Sequence, residues 1–514
     1  MSPVIAAVFQ TIPQSSDYVR ILPEIVLAVF GMAVMLLDPL VDDEHSRRTL
    51  GFIALLGTIS ALVATWFMAQ SPGLAFSGMV RADSFSVFFH ALVIAISGVV
   101  VLMSFEYTSV QKMRGGEYYG LILFSAVGMG LMSSAVELVL IFIALEISSI
   151  SSYVLAGMRR HEASSGESAL KYFLLGSFAT AFFLYGIALL YGATGSTNIE
   201  AIALRLPQTL QDSQAVTLVY VAAALMFVGL GFKIAAAPFH VWTPDVYEGA
   251  PAPVVGFMST APKAAAFAVL LRVVFQLSMP RHFWIIWVAA VLSMTLGNLG
   301  ALLQNNVKRL LAYSSIAHAG YVLVAFASVP DLGAPAVIFY TAAYAAMNVG
   351  AFAIVSHLGN IDEKYVSLRD YEGLGQVSPV LAASLTIFLL SLIGIPMTGG
   401  FFGKFYVFSA AFKSNLIWLS ILGVINSAIG AYYYLRIIVV MYMRQPEKQT
   451  PVARVPFGVG LATALCLAAT FYLGLLPGRV LDLARLASEA VLSNGNTAPV
   501  AASSVDSGIR EDGH

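Results

Sequence analysis

The chain has 514 residues, 59% hydrophobic and only 11% charged, with 27 Lys and Arg against 28 Asp and Glu and a net charge of −1. A soluble domain carries about 25% charged residues, so this composition excludes a cytosolic enzyme, a disordered chain and a nucleic-acid binder with a basic field. The single cysteine, Cys466, rules out an internal disulfide, a Cys-rich zinc site and the roughly four thiolates of an iron–sulfur cluster, and it reads as a small hydrophobe in an apolar run.

The mean hydropathy is +0.83, which points to a polytopic membrane protein. Apolar stretches of about 20 residues mark spans. They predict fourteen transmembrane helices near 21–38, 51–69, 84–105, 118–134, 136–157, 168–191, 216–235, 253–277, 283–303, 309–327, 334–358, 379–410, 416–442 and 456–476. The first run follows Pro13, Ser15, Ser16 and Asp17, not a basic region, so no removed signal peptide is expected. After Pro477 the apolar periodicity fades, and from about residue 494 a polar, solvated tail is expected.

Loop charges orient these helices. Odd-numbered loops hold Arg47, Arg48, Lys112, Arg114, Arg159, Arg160, Lys308, Arg309, Lys364, Arg369, Arg444, Lys448 and Arg454. Even-numbered loops hold only Arg81, Arg205, Arg281 and Lys413. By the positive-inside rule the odd loops face the cytoplasm, and both termini lie on the other side. The expected location is a bacterial plasma membrane.

A repeat runs through the bundle. The fifth helix contains EISSISSYVLAG, Glu146 to Gly157, and the tenth contains AYSSIAHAGYVL, Ala312 to Leu323. The seventh helix meets a break at Lys233-Ile-Ala-Ala-Ala-Pro238, and the twelfth is interrupted at Gly394-Ile-Pro396. Helices 4–8 and 9–13 thus read as two five-helix units. An odd number of helices per unit forces opposite orientations, giving inverted repeats with broken helices 7 and 12. The expected divisions are an N-terminal three-helix segment (1–110), a first repeat (111–278), a second repeat (279–443), a last helix (444–480) and a polar tail (481–514).

Five ionisable residues lie in apolar surroundings: Glu146, Lys171, Lys233, Lys263 and Lys404. Each costs about 2.5–3.5 kcal/mol at mid-membrane on insertion scales. Serines 148, 149, 151 and 152 follow Glu146. Lys233 precedes Pro238, which frees a backbone carbonyl, and Lys263 is again beside a proline. Lys404 follows the second break. Lys171 is nearer its helix start and can snorkel to the surface. Burial disfavours a charged lysine and a nearby carboxylate favours it, so a row of such groups joined by water makes a proton relay. A structural ion pair is the competing reading for each lysine, most of all for Lys171. His240 and His318 are weaker relay candidates, weighed against histidines satisfied by backbone carbonyls. Asp83, Glu106 and Arg272 fall near predicted helix ends and read as interfacial anchors.

No phosphate-binding glycine loop, dinucleotide fingerprint or HExxH motif is present. No NADH, ATP, metal or redox group is expected on this chain. Energy must come from a gradient or a partner.

The stretch Phe239-His-Val-Trp-Thr-Pro-Asp-Val-Tyr-Glu-Gly-Ala-Pro251 resembles a signature of the subunit N family of respiratory complex I, NADH-quinone oxidoreductase. So does Asn306-Val-Lys-Arg-Leu-Leu-Ala-Tyr-Ser-Ser-Ile-Ala-His-Ala-Gly-Tyr321, and LIGIPMTGGFFGKFYVF at 392–408 agrees. The likeness spans nearly the whole chain. It implies an antiporter-like proton-pumping subunit, in which Glu146, Lys233, Lys263 and Lys404 match the family's glutamate and lysines of helices 5, 7, 8 and 12. His240 falls on its Pro-Phe-His motif. Sister subunits carry a histidine at the helix-8 position, so Lys263 favours subunit N over them and over an Mrp-type cation/proton antiporter, the alternative reading. The resemblance also implies partners: other antiporter-like membrane subunits and a peripheral redox arm holding NADH, flavin (FMN) and iron–sulfur clusters, which reduces quinone. The bilayer is the other partner, and no nucleic acid is expected.

Overall fold

The computed structural model describes residues 13–40, 44–277, 284–359, 363–445 and 453–493. Its helices are α1 (Ser15–Arg20), α2 (Leu22–Leu37), α3 (Glu44–Ala69), α4 (Ser84–Val110), α5 (Gly115–Ser134), α6 (Leu138–Ala156), α7 (Ala163–Thr194), α8 (Ile199–Thr209), α9 (Ser213–Ile234), α10 (Trp242–Gly249) and α11 (Ala252–Met258). They continue with α12 (Ala261–Gln276), α13 (Trp284–Leu302), α14 (Val307–Phe326), α15 (Pro330–Gly359), α16 (Leu374–Val377), α17 (Pro379–Ile393), α18 (Gly399–Lys413), α19 (Ile417–Met443), α20 (Phe457–Leu475) and α21 (Pro477–Leu492). Among the described residues, 12 helical spans are long and apolar enough to cross a membrane. The two remaining predicted segments fall on α5 and on the interrupted pair α17–α18.

Side chains set the starts of these helices. Asp83 accepts from the Ser86 amide and caps α4, Asn306 accepts from the Lys308 and Arg309 amides and caps α14, and Glu137 accepts from the Leu140 amide and caps α6. Each satisfies donors that a helix leaves orphaned at its first turn. The spans of α11–α12, α14 and α15 are buried along nearly their whole length and form the centre, while α2, α3, α7 and α19 keep broad apolar faces exposed. Such faces suit a lipid solvent.

Both sequence-predicted breaks are present, and their backbones match. At the end of α9, Ala235 takes φ +60°, the Ala236 amide bonds the Gly231 carbonyl and the Ala235 amide bonds that of Phe232. At the end of α17, Gly394 takes φ +96°, the Ile395 amide bonds the Leu390 carbonyl and the Gly394 amide bonds that of Ser391. This is the same left-handed C-terminal motif twice. Backbone bridges recur in step as well: Glu137, before α6, pairs with Asn198, after α7, and Asn306, before α14, pairs with Ser367, after α15. The eighth predicted helix is also divided, by a turn at Ser259 and Thr260 between α11 and α12.

Two elements were not foreseen. A hairpin of β1 (Gly73–Ala75) and β2 (Val80–Ala82) closes the end of α3. The chain also stays helical after Pro477. Residues 481–492, read as polar tail, belong to α21, whose Ala484, Ala487, Ser488 and Val491 are buried while Leu483 and Leu486 are exposed. A short helix with charges on one side has too little apolar run to register as a span. The polar tail expected from 494 lies outside the described residues, as do Arg281 and Lys448.

Candidate functional site

The second break holds the most complete lysine site. An α-helix leaves its last four carbonyls without intrahelical partners. Of those in α17, Leu390 and Ser391 are taken by the backbone of the break. The other two, Leu392 and Ile393, accept from Lys404 Nζ at 2.9 and 2.8 Å, and Ser427 Oγ is 2.8 Å from the same nitrogen. The lysine of α18 therefore caps the negative end of α17. It also stands over the Tyr321 ring, 4.9 Å from its centroid.

Lys233 occupies the last turn of α9, beside the first break. Its Nζ donates to Ser149 Oγ of α6 at 2.9 Å, and Ser149 passes its own hydrogen to the Leu145 carbonyl at 2.7 Å. Glu146 precedes Ser149 by one helical turn, on the same side of α6. Glu146 is half-buried and its Oε1 has no hydrogen-bond partner among the described residues. The glutamate and Lys233 thus share a wall without forming a direct ion pair.

Lys263 begins α12. Its Nζ bonds Ser315 of α14 twice, to Oγ at 2.6 Å and to the carbonyl at 3.1 Å. From there α14 presents a polar ladder at helical spacing: Ser315, His318 and Tyr321. His318 Nδ1 lies 2.8 Å from Tyr340 Oη and Nε2 lies 3.1 Å from Tyr434 Oη, which in turn bonds Ser314. Tyr321 Oη accepts from Asn298 at 3.1 Å, and Asn298 also bonds Asn426 and Tyr433. Lys263 sits at one end of this ladder and Lys404 at the other.

The structure thus sets Lys263 of α12 and Lys404 of α18 against the α14 ladder that bears His318, and sets Lys233 against the wall that bears Glu146. It places two candidates elsewhere. Lys171 is 40% exposed and ion-pairs with Glu167 and Asp245, both at 2.7 Å. Asp245 also pairs with Arg309 and Arg309 with Glu248, forming a partly exposed network. Lys171 and Arg309, through their hydrogen bonds and charges, overcome desolvation and hold the Asp245 carboxyl below the usual aspartate range. His240 is half-buried in the turn between α9 and α10, and no hydrogen bond ties its ring to Glu146, Lys233, Lys263 or Lys404.

Sequence reasoning missed other buried charges. Lys308, placed among loop charges, is fully buried; its Nζ bonds the Glu248 and Ala250 carbonyls and Glu363. Glu363 also accepts from Tyr107 Oη at 2.6 Å and lies 3.6 Å from Arg159. Arg272, read as an interfacial anchor, is wholly buried and fastened to both oxygens of Asp83 at 3.1 Å. The signal was faint because each partner sits far away in sequence. The added features, Ser315, Tyr321 and Asn298, are neutral and leave no mark in a charge pattern.

A family model described as "NADH:quinone oxidoreductase/Mrp antiporter, TM" matches residues 135–430. The chain is 65% identical over 483 residues to NADH-quinone oxidoreductase subunit N 2 of Koribacter versatilis, covering 93% of this chain and 98% of that one. It is similar to a chain of respiratory complex I from Thermus thermophilus solved with bound aureothin, at 38% identity and a TM-score of 0.76, covering 90% of this chain and 99% of that one. It also matches the fold of a chain of the Mrp complex from Dietzia at a TM-score of 0.79 and 19% identity, over 92% of this chain and 97% of that one.

Proposed function

Because the chain belongs to the subunit N family of NADH-quinone oxidoreductase, we propose that it carries protons across the membrane along Glu146, Lys233, Lys263 and Lys404. It is an antiporter-like membrane subunit of that enzyme, with no redox site evident on it. With one buried cysteine it lacks the thiolates an iron–sulfur cluster needs. In this reading NADH, flavin, iron–sulfur clusters and quinone act on partner subunits, and quinone reduction there drives this chain. Its neighbours in the bilayer are other antiporter-like subunits.

One observation carries this reading. Lys233, Lys263 and Lys404 are each at most 7% exposed, yet among the described residues none has a carboxylate within ion-pair distance; their partners are serines and backbone carbonyls. An ammonium taken out of water without a counter-charge is costly, and the cost disappears when its proton leaves. Three such sites are poor structural pairs and good places to load and unload a proton. Glu146, its oxygen unpartnered, is the group whose charge can approach Lys233 and hold the proton there. His318, between two tyrosine hydroxyls, joins Lys263 to Lys404 within α14. Lys171 and His240 belong to the approach from the cytoplasmic side rather than to the row. The plasma membrane of a bacterium is the expected site, with both termini on the non-cytoplasmic face.

The test uses the complete enzyme in proteoliposomes, with Lys233→Met and Lys404→Met. NADH-driven acidification falls in both while the complex stays assembled with its flavin and iron–sulfur subunits. Pumping at the parental rate in both variants overturns the assignment.

A further inference from the structure

A second buried acid–base pair lies away from the lysine row. Glu24, in the first turn of α2, is 4% exposed and His90, in α4, is 1% exposed. His90 Nε2 stands 2.7 Å from Glu24 Oε1. His90 Nδ1 is 2.7 Å from the Ser86 carbonyl and 3.1 Å from Ser133 Oγ, and that hydroxyl donates to the Gly130 carbonyl at 2.8 Å.

These contacts decide where the hydrogens are. A carbonyl oxygen only accepts, so Nδ1 must carry a hydrogen and give it to Ser86. Nδ1 is then committed, and the proton between Nε2 and Oε1 is the exchangeable one. It can sit on nitrogen, giving an imidazolium and a carboxylate, or on oxygen, giving two neutral groups. Glu24 Oε2 is buried and has no hydrogen-bond partner among the described residues. A purely structural carboxylate would be expected to satisfy that atom.

The surroundings contain few other charges. Asp83 on the same helix is held by both oxygens to Arg272, and Arg272 Nε bonds the Ser133 carbonyl at 3.0 Å. Arg81 and Glu200 pair with each other nearby. Ser133 thus touches His90 through its hydroxyl and Arg272 through its carbonyl. Arg272 follows Lys263 on α12 by nine residues, about 13.5 Å of helix rise. The cluster therefore lies between the lysine row and the end of the bundle where α2 begins and α5 and α12 finish. Loop charges assign that end to the outside.

We propose that His90 and Glu24 form a further proton-binding station, which takes a proton arriving from the row and releases it toward the outer face through Glu24. This rests on the reading of the chain as a proton carrier. In the step, the His90 Nε2–H bond breaks and an O–H bond forms on Glu24, leaving both groups neutral. Glu24 then gives its proton to solvent water and returns to carboxylate, and His90 Nε2 is reprotonated from the row. One proton enters and one leaves.

The experiment uses the complete enzyme in proteoliposomes, with Glu24→Gln, His90→Gln, the double variant and Lys233→Met in parallel, assayed across a pH range. Gln at either position keeps a hydrogen bond but cannot exchange a proton. The station predicts that both single variants and the double variant lose pumping by roughly a hundredfold or more, and that Glu24→Asp retains it with a displaced pH profile. It also predicts a protonated-carboxyl infrared band during turnover that Glu24→Gln abolishes, a readout that Glu24→Asp preserves should Glu24→Gln assemble poorly. Parental pumping in the Gln variants, or full recovery in the double variant, overturns the station. If those variants pump while Lys233→Met does not, the station alone fails. If Lys233→Met also pumps, the proton-carrier reading fails with it.

Discussion

Lys404 Nζ bonds the Leu392 and Ile393 carbonyls, so a side chain of one half-helix closes the end of the other. Replacing it by methionine removes a proton site, leaves the buried Leu392 carbonyl unpaired and leaves the Ile393 carbonyl only Ser427 Oγ at 3.5 Å. At about 1–3 kcal/mol per unsatisfied group, Lys404→Met lowers the thermal midpoint of the purified complex as well as its pumping. Lys404→Arg, which keeps donors at that place, loses less stability. Differential scanning calorimetry beside an acidification assay separates the two effects, and equal midpoints for Met and Arg would contradict the capping role.

Gly394 takes φ +96°, and a Cβ there would stand 3.1 Å from Lys404 Cδ. An L side chain in this region costs on the order of 1–2 kcal/mol and here also presses on the lysine. Gly394→Ala is expected to reduce pumping and stability together. The equivalent Ala235→Gly at the first break removes a Cβ from a left-handed residue and is expected to leave stability unchanged or slightly raised. Thermal shift of the two variants side by side is the check.

Ser149 is the hydrogen-bond partner of Lys233 Nζ, whereas Lys263 keeps the Ser315 carbonyl when the Ser315 hydroxyl is lost. Ser149→Ala is therefore expected to impair pumping more than Ser315→Ala, by a difference on the order of 1 kcal/mol in rate. The opposite ranking of initial acidification rates would show that the lysines do not depend on these contacts.

Burial alone would push the Glu363 carboxyl up, but the Lys308 and Arg159 charges, with hydrogen bonds from Lys308 and Tyr107, hold it below the ordinary glutamate value. A carboxyl lowered in the folded state contributes stability above its unfolded pKa of about 4.3, and that contribution is lost as pH falls through the folded value. Glu363→Gln leaves Lys308 buried without its counter-ion, at about 3–5 kcal/mol. The variant is expected to unfold at a lower temperature at neutral pH and to lose the acid-side dependence of the parent between pH 5 and the folded pKa. Unfolding midpoints measured from acid to neutral pH test both.

Much of the bundle was legible because long apolar runs announce spans, and because Pro238 and Gly394 announce breaks. Lys233, Lys263 and Lys404 stood out as charges in surroundings that should reject them. What stayed hidden depended on distant partners. Arg272 at the end of an apolar run looks like an anchor until Asp83, far earlier in the chain, is folded against it. Lys308 next to Arg309 reads as a surface pair, yet the roughly 100° between neighbouring helical positions buries the first and leaves the second partly exposed. Glu24 and His90 went unremarked because each lies close to a predicted helix end, where polar residues are ordinary. The α21 helix escaped because its apolar positions are too few to resemble a span.

The polar rungs of α14 have a mechanical consequence. Ser315, His318 and Tyr321 belong to one rod, so they cannot be adjusted independently. A slide of that rod by two residues, about 3 Å, would stretch hydrogen bonds of 2.6–3.1 Å past their useful length at every rung together. Traffic between the two lysines flanking it would then be opened or interrupted as a unit, with one helix acting as the latch.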